Sequence, residues 1–228
     1  MSRNVIISFI VFSSISTTAL GQATQLLPDL ITSPTPLRDN SIDYETIPGK
    51  KLLRLSNSSP NIGVGKMELR GGRILGDGKR EVYQRIYLSN GSFVSRLAGI
   101  FEYHPEHKHI HFQDYAVYRL RTVTPNSGVG TIVASSEKVS FCLRNSVVYN
   151  RNLPGFNPKS EYKNCSSNIQ GIGVGYADFY RKNLYGQWID ITDVAPGQYW
   201  IESEVDPLNR LKESNEENNI ARSMVNID

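Results

Sequence analysis

The sequence predicts an all-β protein, an antiparallel β-sandwich with long irregular loops. Short segments rich in β-branched and aromatic residues recur along the chain, as they do in strands. Turn-forming sequences such as GDGK, SNGS and TPNSG separate these segments. No long segment has the 3.6-residue apolar period of an amphipathic helix. Many short strands with turns between them are typical of a sandwich.

Seven segments have the residue types and lengths of strands, and two long stretches interrupt the pattern. The Pro- and Ser-rich stretch 22–50 is expected to wrap the surface of the protein. The stretch 144–187 is expected to be mostly irregular, and connections that long are usually functional or disordered. The predicted strands are residues 51–57, 81–89, 97–104, 110–123, 130–144, 198–205 and 221–227.

Residues 1–21 have the features of a secretory signal peptide. A basic residue precedes an apolar run from Val5 to Phe12, and small residues follow, which predicts cleavage near Gly21 or Ala23. The run is too short to span a bilayer comfortably. We therefore expect a secreted, extracellular protein, or a periplasmic one in a bacterium.

The charge balance argues against two classes of partner. The chain has 25 Lys and Arg residues and 22 Asp and Glu residues, which gives a net charge of +3. This excess is too slight to support binding to nucleic acid or to a membrane surface. We expect no nucleic-acid partner and no membrane span in the mature protein.

Cys142 and Cys165 are the two cysteines of the chain. An even pair in an exported protein predicts one disulfide. The alternative is that they serve as two soft ligands for copper or zinc. This alternative is weaker because neither cysteine lies in a CxxC motif or next to the histidines.

The four histidines of the chain all lie in the sequence HPEHKHIH. His107, His109 and His111 alternate, and residues at i, i+2 and i+4 of a strand face the same side. Three imidazoles on one face can bind one metal ion and leave a coordination position open, which favours a metal site over a solvated strand face. Imidazole suits copper and zinc. Copper redox chemistry and zinc hydrolysis both stay open, and hydrolysis would need a carboxylate base such as Glu102 or Asp114.

Four specific motifs follow one another along the chain. An HxHxH segment precedes a Lys four residues before a Cys, a Tyr eight residues before the Trp of QWIDITDV, and the acidic, Asn-rich segment KESNEENN. In order and spacing, across residues 26–226, the chain resembles the catalytic domain of lysyl oxidases. The chain is therefore expected to consist of a signal peptide (1–21), an N-terminal surface segment (22–50) and, by this resemblance, a lysyl oxidase-like catalytic domain (51–228).

The resemblance implies a copper-dependent amine oxidase. The copper ligands would be His107, His109 and His111. In lysyl oxidases a Lys and a Tyr become cross-linked into lysine tyrosylquinone, and the matching residues are Lys138 and Tyr180. The quinone carbonyl is an electrophile that no ordinary side chain supplies. It condenses with a primary amine, a base removes the α-proton, and hydrolysis releases an aldehyde. Dioxygen regenerates the cofactor, with release of ammonia and hydrogen peroxide.

The catalytic base and the substrate are less defined. Mammalian family members have a histidine shortly after the copper ligands, and Val117 occupies the corresponding position here. Asp178 lies two residues before Tyr180, so both would face the same side of an extended segment, and Asp178 is a candidate proton acceptor. Peptidyl lysine and small primary amines both fit the chemistry.

The resemblance also implies a calcium site between the N-terminal Pro-Asp-Leu and the KESNEENN segment. Carboxylate and amide oxygens at close spacing are the ligands that hard cations prefer. Asn215 replaces an Asp of the family pattern, which lowers the ligand charge. The alternative is a solvated acidic turn. The expected calcium ligands are Asp29, Leu30, Glu213, Asn215, Asn218 and Asn219.

Two functional classes are compatible with the histidines. The first is the amine oxidase, and the second is a secreted copper-binding β-sandwich protein without oxidase activity. Lys138 and Tyr180 separate the two classes. A protein that only binds copper has no reason to keep both residues at these places, so their joint presence favours the enzyme.

Overall fold

The computed structural model describes residues 22–106 and 108–228. The predicted signal peptide, residues 1–21, and His107 lie outside the described residues. Regular structure in the described part is almost entirely β-strand, with one four-residue helix, Pro34–Leu37, and one 3₁₀ turn, Pro125–Ser127. The strand pairs are antiparallel. The predicted all-β antiparallel class is confirmed.

The described strands are numbered in chain order. They are β1 Gln25–Leu26, β2 Asn40–Asp43, β3 Leu52–Leu55, β4 Asn57–Pro60, β5 Met67–Gly76, β6 Lys79–Leu88, β7 Phe93–His104, β8 His109–Phe112, β9 Ala116–Thr124, β10 Gly128–Ser135, β11 Val147–Val148, β12 Ile169–Ile172, β13 Tyr176–Tyr180, β14 Trp188–Asp190, β15 Gly197–Val205 and β16 Ile220–Ile227.

These strands form four sheets in the part of the chain that the structure describes. The largest has the order β12-β5-β6-β7-β8, with β1 also paired to β6. A second sheet has the order β10-β9-β15-β16. Two three-stranded sheets, β11-β13-β4 and β14-β3-β2, complete the set. Strands β8 and β13, which carry the predicted site residues, therefore belong to different sheets.

One apolar core joins the sheets. In β9, Ala116, Tyr118 and Leu120 are buried and alternate with more exposed residues, as the two-residue period of a strand requires. The N-terminal segment is anchored in this core by Leu30 and Leu37, both 0% exposed. Burial of each such side chain stabilises the fold by about 1.5–3 kcal/mol.

Two predicted strands are shorter in the structure. Residues 110–123 form two strands, β8 and β9, because the chain turns at Asp114, whose φ is 57°. The predicted strand 130–144 ends at Ser135. Beyond it the chain is held by the backbone of neighbouring segments, as in the bond from Tyr115 N to Val139 O at 2.8 Å. Lys138 therefore lies in a non-strand segment.

The stretch 144–187 is mostly irregular, as predicted, and contains the three short strands β11, β12 and β13. Cys142 and Cys165 form a disulfide with a Cα–Cα distance of 5.4 Å, within the usual range. The predicted disulfide is confirmed. Tyr180 is the last residue of β13, which pairs with β4, so it belongs to a strand.

The helical content bears on the expected absence of a membrane span. No helix among residues 22–106 and 108–228 has the length and the apolar character needed to cross a bilayer.

Candidate active site

A tight hairpin between β7 and β8 positions three of the histidines. His104, the last residue of β7, pairs directly with His109, the first residue of β8. Lys108 completes the turn with a φ of 56°, and its backbone N–H donates to His104 O at 2.8 Å. His109 and His111 are two residues apart on β8, so all three side chains lie on one face.

The two histidines of β8 approach each other closely. Nε2 of His109 and Nε2 of His111 are 2.9 Å apart. Two nitrogens at this separation can both lie about 2.0–2.1 Å from one metal ion. The donor set therefore fits copper or zinc. Because β8 begins at His109, the strand alternation predicted for the triplet applies to these two residues.

A serine that the sequence did not single out connects the histidines. Ser140 is buried, and its Oγ lies 3.2 Å from His111 Nδ1 and 3.1 Å from His104 Nε2. Gln113 Nε2 donates to His104 Nε2 over 3.2 Å, so that nitrogen carries no proton. The Ser140 hydroxyl can then donate to His104 and accept from His111 Nδ1–H. With Nδ1 facing Ser140, Nε2 of His111 faces His109, where one metal ion could bind both nitrogens.

His104 supports this arrangement through its ring. The ring stacks on that of His111 with centroids 4.3 Å apart, and its Nε2 faces Ser140 and Gln113. His104 therefore orients His111 through stacking and through Ser140.

The structure brings Lys138 and Tyr180 together. Lys138 Nζ lies 5.0 Å from the centre of the Tyr180 ring and 4.9 Å from that of Phe141. Gly186 permits this approach. Its φ is 78°, and a Cβ there would come within 2.8 Å of Cδ of Lys138. Two residues 42 positions apart in the sequence thus lie close together in the fold.

The Tyr180 hydroxyl is held by the backbone of a disulfide cysteine. It donates to Cys142 O at 2.8 Å and accepts from Cys142 N–H at 2.9 Å. The Tyr180 ring also packs edge-on against Phe141, with centroids 5.0 Å apart. These contacts fix the ring plane and leave one face toward Lys138.

Asp178 lies beside this pair in an unusual environment. It is 2% exposed, one carboxylate oxygen accepts from Ser146 Oγ at 2.9 Å, and the other has no hydrogen-bond partner among the described residues. Burial raises the pKa of Asp178 to about 8. Burial likewise lowers the pKa of Lys138 to about 8, which the nearby Asp178 charge partly opposes. Burial and the charge of Asp178 together raise the pKa of Tyr180 well above its usual value.

Lys138 lines two cavities. One, of about 300 Å³, is also lined by His104, His111 and Ser140. The other cavity, of about 210 Å³, is also lined by His109, Arg144, Asp178 and Tyr180. A larger cavity of about 380 Å³ is lined by none of the predicted site residues. Because Lys138 lines both cavities, it connects His104 and His111 on one side with His109, Asp178 and Tyr180 on the other.

Comparison with known proteins shows the family to which this chain belongs. The family model for lysyl oxidase matches residues 93–228. The chain belongs to the lysyl oxidase family. It is 36% identical over 123 residues to human lysyl oxidase homolog 1, a match that covers 54% of this chain and 20% of that protein. It is 35% identical over 127 residues to Xenopus laevis lysyl oxidase homolog 2, which covers 55% and 15%.

The likeness covers a minor part of each relative. Human lysyl oxidase homolog 3 is 34% identical over 126 residues, which are 55% of this chain and 15% of that protein. The chain thus spans about a fifth or less of the length of these relatives. Membership of the lysyl oxidase family supports an amine oxidase-like function.

The residues predicted to bind calcium also meet in this lysyl oxidase family protein, with one exception. The buried Glu213 carboxylate accepts from Leu30 N–H, and its other oxygen accepts from Asn219 Nδ2 at 3.2 Å. Asn218 Nδ2 donates to Asp29 Oδ1 at 2.8 Å. The amide oxygens of Asn218 and Asn219 are buried without a partner among the described residues. Two orphaned oxygens beside two carboxylates fit a hard cation.

Neighbouring residues change the expected ligand set. Asn215 is exposed, and its side-chain oxygen accepts from Glu217 N–H at 3.0 Å. This hydrogen bond stabilises the turn that contains Asn215. Asp206 and Glu216 have carboxylate oxygens within 4.8 Å of one of Glu213. These two acids are not predicted from the sequence, because Asp206 lies outside the KESNEENN segment and Glu216 is one acid among several within it. Burial, with the added charge of Glu216, raises the pKa of Glu213 to about 8.

Proposed function

We propose that this protein is an exported copper- and lysine tyrosylquinone-dependent amine oxidase, with residues 51–228 as its catalytic domain. It converts the primary amine of a peptidyl lysine or of a small molecule to an aldehyde. Dioxygen is consumed, and ammonia and hydrogen peroxide are released. The observation that carries the proposal is the position of Lys138 Nζ, 5.0 Å from the centre of the Tyr180 ring, in a site that also contains His109 and His111.

The copper ligands in this proposal are His107, His109 and His111. The 2.9 Å separation between the Nε2 atoms of the last two supports their sharing of one ion. Ser140 holds Nδ1 of His111 at 3.2 Å, which orients Nε2 toward the metal. His104 is a positioning residue because its Nε2 is engaged by Ser140 and by an amide.

The cross-linked cofactor of the proposal consists of Lys138 and Tyr180. Once formed, it supplies an electrophilic carbonyl that condenses with a primary amine. Asp178 accepts the substrate α-proton, since it lies two residues before Tyr180 on the same face of β13. A buried carboxyl with a pKa of about 8 suits proton transfer near neutral pH. Asp178 thereby supplies the catalytic base, because Val117 at the position of the family histidine has no group that accepts a proton.

The substrate amine reaches Lys138 through the 300 Å³ cavity. Two exposed carboxylates, Glu106 and Glu137, line this cavity together with Tyr185 and Trp188. Carboxylates and aromatic faces both attract an ammonium group. This lining supports an amine substrate more than an acidic one.

The proposal also includes a calcium ion with a structural role. Its ligands come from Asp29 and Leu30 at one end of the chain and from Glu213, Asn218 and Asn219 at the other. The ion ties the segment 22–50 to the sheets, because Leu30 is anchored in the core next to this site. It has no part in the oxidation itself.

A quinone stain on copper-loaded, aerated protein tests the proposal, together with a peroxide assay on simple primary amines. Tyr180→Phe should abolish both signals while copper binding and the fold stay intact. The matched control is Tyr176→Phe on the same strand, whose hydroxyl donates to Asn157 O at 2.9 Å and touches no site residue named above. That variant should keep both signals.

The second functional class provides the opposite outcome. If copper-loaded wild-type protein yields no quinone stain and no peroxide, and Lys138 and Tyr180 remain in separate unmodified peptides, the oxidase proposal is wrong. A secreted copper-binding β-sandwich protein would then be the better description.

A further inference from the structure

Cofactor assembly poses a chemical problem at Lys138. The amine must be neutral to form a bond with the oxidised Tyr180 ring, because an ammonium group has no lone pair to donate. Lys138 lies at the ring already, with Nζ 5.0 Å from its centre. What the reaction needs in addition is an acceptor for one proton within the same enclosed space.

Asp178 has the geometry of such an acceptor. Its carboxylate lines the 210 Å³ cavity together with Lys138 and Tyr180. One oxygen is fixed by Ser146 Oγ at 2.9 Å. The second oxygen is buried and has no hydrogen-bond partner among the described residues. A buried polar atom without a partner costs free energy, and a functional role is one explanation for its persistence.

We propose that Asp178 is the proton acceptor for cofactor assembly, taking the proton of the Lys138 ammonium so that the amine can bond to the oxidised Tyr180 ring. The inference rests on the amine oxidase function proposed above and adds a step that precedes the first turnover. Asp178 thus acts before any substrate has bound.

The step balances in atoms and electrons. With copper, one dioxygen oxidises the Tyr180 phenol to an ortho-quinone and is itself reduced, leaving one oxygen atom on the ring and one in water. Lys138 transfers its proton to Asp178, and its nitrogen then forms a C–N bond to the ring, which becomes a catechol. A second dioxygen takes two electrons and two protons from the catechol, giving the cross-linked quinone and hydrogen peroxide. Asp178 finally releases its proton to water.

The electrostatics of the cavity support this transfer. Free aspartate and lysine differ in pKa by about 6.5, which places the proton firmly on the amine. Here burial lowers the pKa of Lys138 and raises that of Asp178, each to about 8, which narrows the difference that opposes the transfer. The charged and titratable groups that act on Asp178 or are affected by its charge are Lys138, Arg144, Tyr115, Tyr118 and Tyr180.

Other acids are less well placed. Glu106 and Glu137 line only the 300 Å³ cavity, and both are exposed, so solvent screens them. His109 shares the smaller cavity but belongs to the metal ligands in the proposed function. Asp178 is the one carboxylate, among the residues lining that cavity, in contact with the same enclosed volume as Lys138 and Tyr180.

The test follows assembly by mass spectrometry without any amine substrate. Wild-type apoprotein and Asp178→Asn are loaded with copper without oxygen and then exposed to air. The joined Lys138 and Tyr180 peptides are quantified over time. Wild type should form the cross-link, and Asp178→Asn should form it at least about 100-fold more slowly, with oxidised but unjoined Tyr180 accumulating. Added imidazole, a soluble base, should accelerate cross-linking in Asp178→Asn in proportion to its concentration and leave wild type unchanged.

Two further variants keep the test decisive. Ser146→Ala removes only the partner of the fixed carboxylate oxygen and should form the cross-link within a few-fold of the wild-type rate. Asp178→Glu keeps a carboxylate but displaces it by one methylene. If Asp178→Asn does not fold, a slower cross-link in Asp178→Glu at unchanged copper content supports the inference, and an unchanged rate overturns it.

The outcomes separate this inference from the function on which it rests. A cross-link that forms in Asp178→Asn at the wild-type rate overturns the inference, while the oxidase function stands. Absence of any cross-link in active-site-intact wild-type protein overturns the oxidase function itself, and the inference with it.

Discussion

The histidine site and the proposed calcium site of this protein are assembled in opposite ways. Three of the histidines lie on one hairpin, separated by seven residues from His104 to His111, and neighbouring side chains already hold their rings. The calcium site joins residues 183 and 189 positions apart in the pairs Leu30–Glu213 and Asn218–Asp29. It leaves two amide oxygens without partners and a carboxyl with a raised pKa. The geometry of the first site is therefore already formed, and we expect the second to depend on the proposed ion.

This difference separates chemistry from stability. Strand pairing forms the hairpin independently of copper, so loss of copper should remove activity while the fold persists. The proposed calcium site joins distant segments, and an ion that binds only the folded state stabilises it, so loss of calcium should lower the free energy of unfolding. Each of the following predictions tests one side of this separation.

The largest effect is expected for His111→Ala. The variant loses one proposed ligand and one of the two ring contacts of the Ser140 hydroxyl, so copper binding and amine oxidation should both be lost. Stability should fall by only about 1–3 kcal/mol, the cost of an unsatisfied buried group. Metal analysis, a peroxide assay and thermal unfolding check these results. Retention of full copper content would contradict the assigned ligand set, and the stabilisation by calcium should remain as in wild type.

A smaller effect on the same site is expected for Ser140→Ala. Without the hydroxyl, Nδ1 of His111 loses this contact and the ring is held less firmly, so copper affinity should fall about 10–100-fold. A competition titration with a copper chelator measures this change. The matched control is Ser136→Ala, a buried serine of the same segment that donates to Lys138 O at 3.1 Å. Equal copper affinities of the two variants would show that Ser140 does not orient the ligand.

The calcium site should produce the smallest change, a shift of melting temperature that depends on pH. In the metal-free protein burial raises the pKa of Glu213 from 4.5 to about 8, so the folded state keeps a proton that the unfolded state releases. Stability should therefore decrease as pH rises from about 4.5 to about 8. Calcium requires the ionised carboxylate, so its stabilisation should grow over the same window, to about 5–10 °C at 100 times Kd.

Two substitutions sharpen the calcium prediction. Glu213→Gln should remove both the pH dependence and the calcium effect, because the carboxylate is gone. Asn215→Ala should keep both, since this exposed side chain serves its own turn, and should cost less than about 0.5 kcal/mol. Differential scanning calorimetry with calcium or with a chelator gives the comparison. If wild-type protein gives the same melting curve with calcium as with a chelator at every pH, no calcium ion is bound at this site.

The parts of the site that sequence could reveal are those carried by local spacing. Alternation predicted that His109 and His111 share a face, and the same rule predicted the shared face of Asp178 and Tyr180. The lone cysteine pair predicted the disulfide. The two shared faces are predictable because the residues lie close in sequence. The disulfide is predictable because the chain has two cysteines, which allow a single pairing.

The remaining parts depend on packing between distant segments. Lys138 was expected in a strand, but its segment is held by backbone bonds to β8, β9 and the turn between them, a tertiary choice that strand propensity does not encode. Ser140 gains its importance from the two histidines that it bridges. Asp206 joins the acidic cluster because its loop lies against the segment that contains Glu213 and Glu216. A single serine or aspartate has no characteristic spacing to other residues in the sequence, so its role can be recognised only once the fold is known.

The pairing of β13 with β4 has a consequence for how this site can fail. Asp178 lies opposite Ser59, and Tyr180 lies opposite Asn57, so one register fixes both side chains on the same face. A slip by one residue would turn both to the other face at once. A one-residue insertion or deletion before β13 that shifts this register should therefore displace the acid and the tyrosine together, whereas one at Phe179 should separate them.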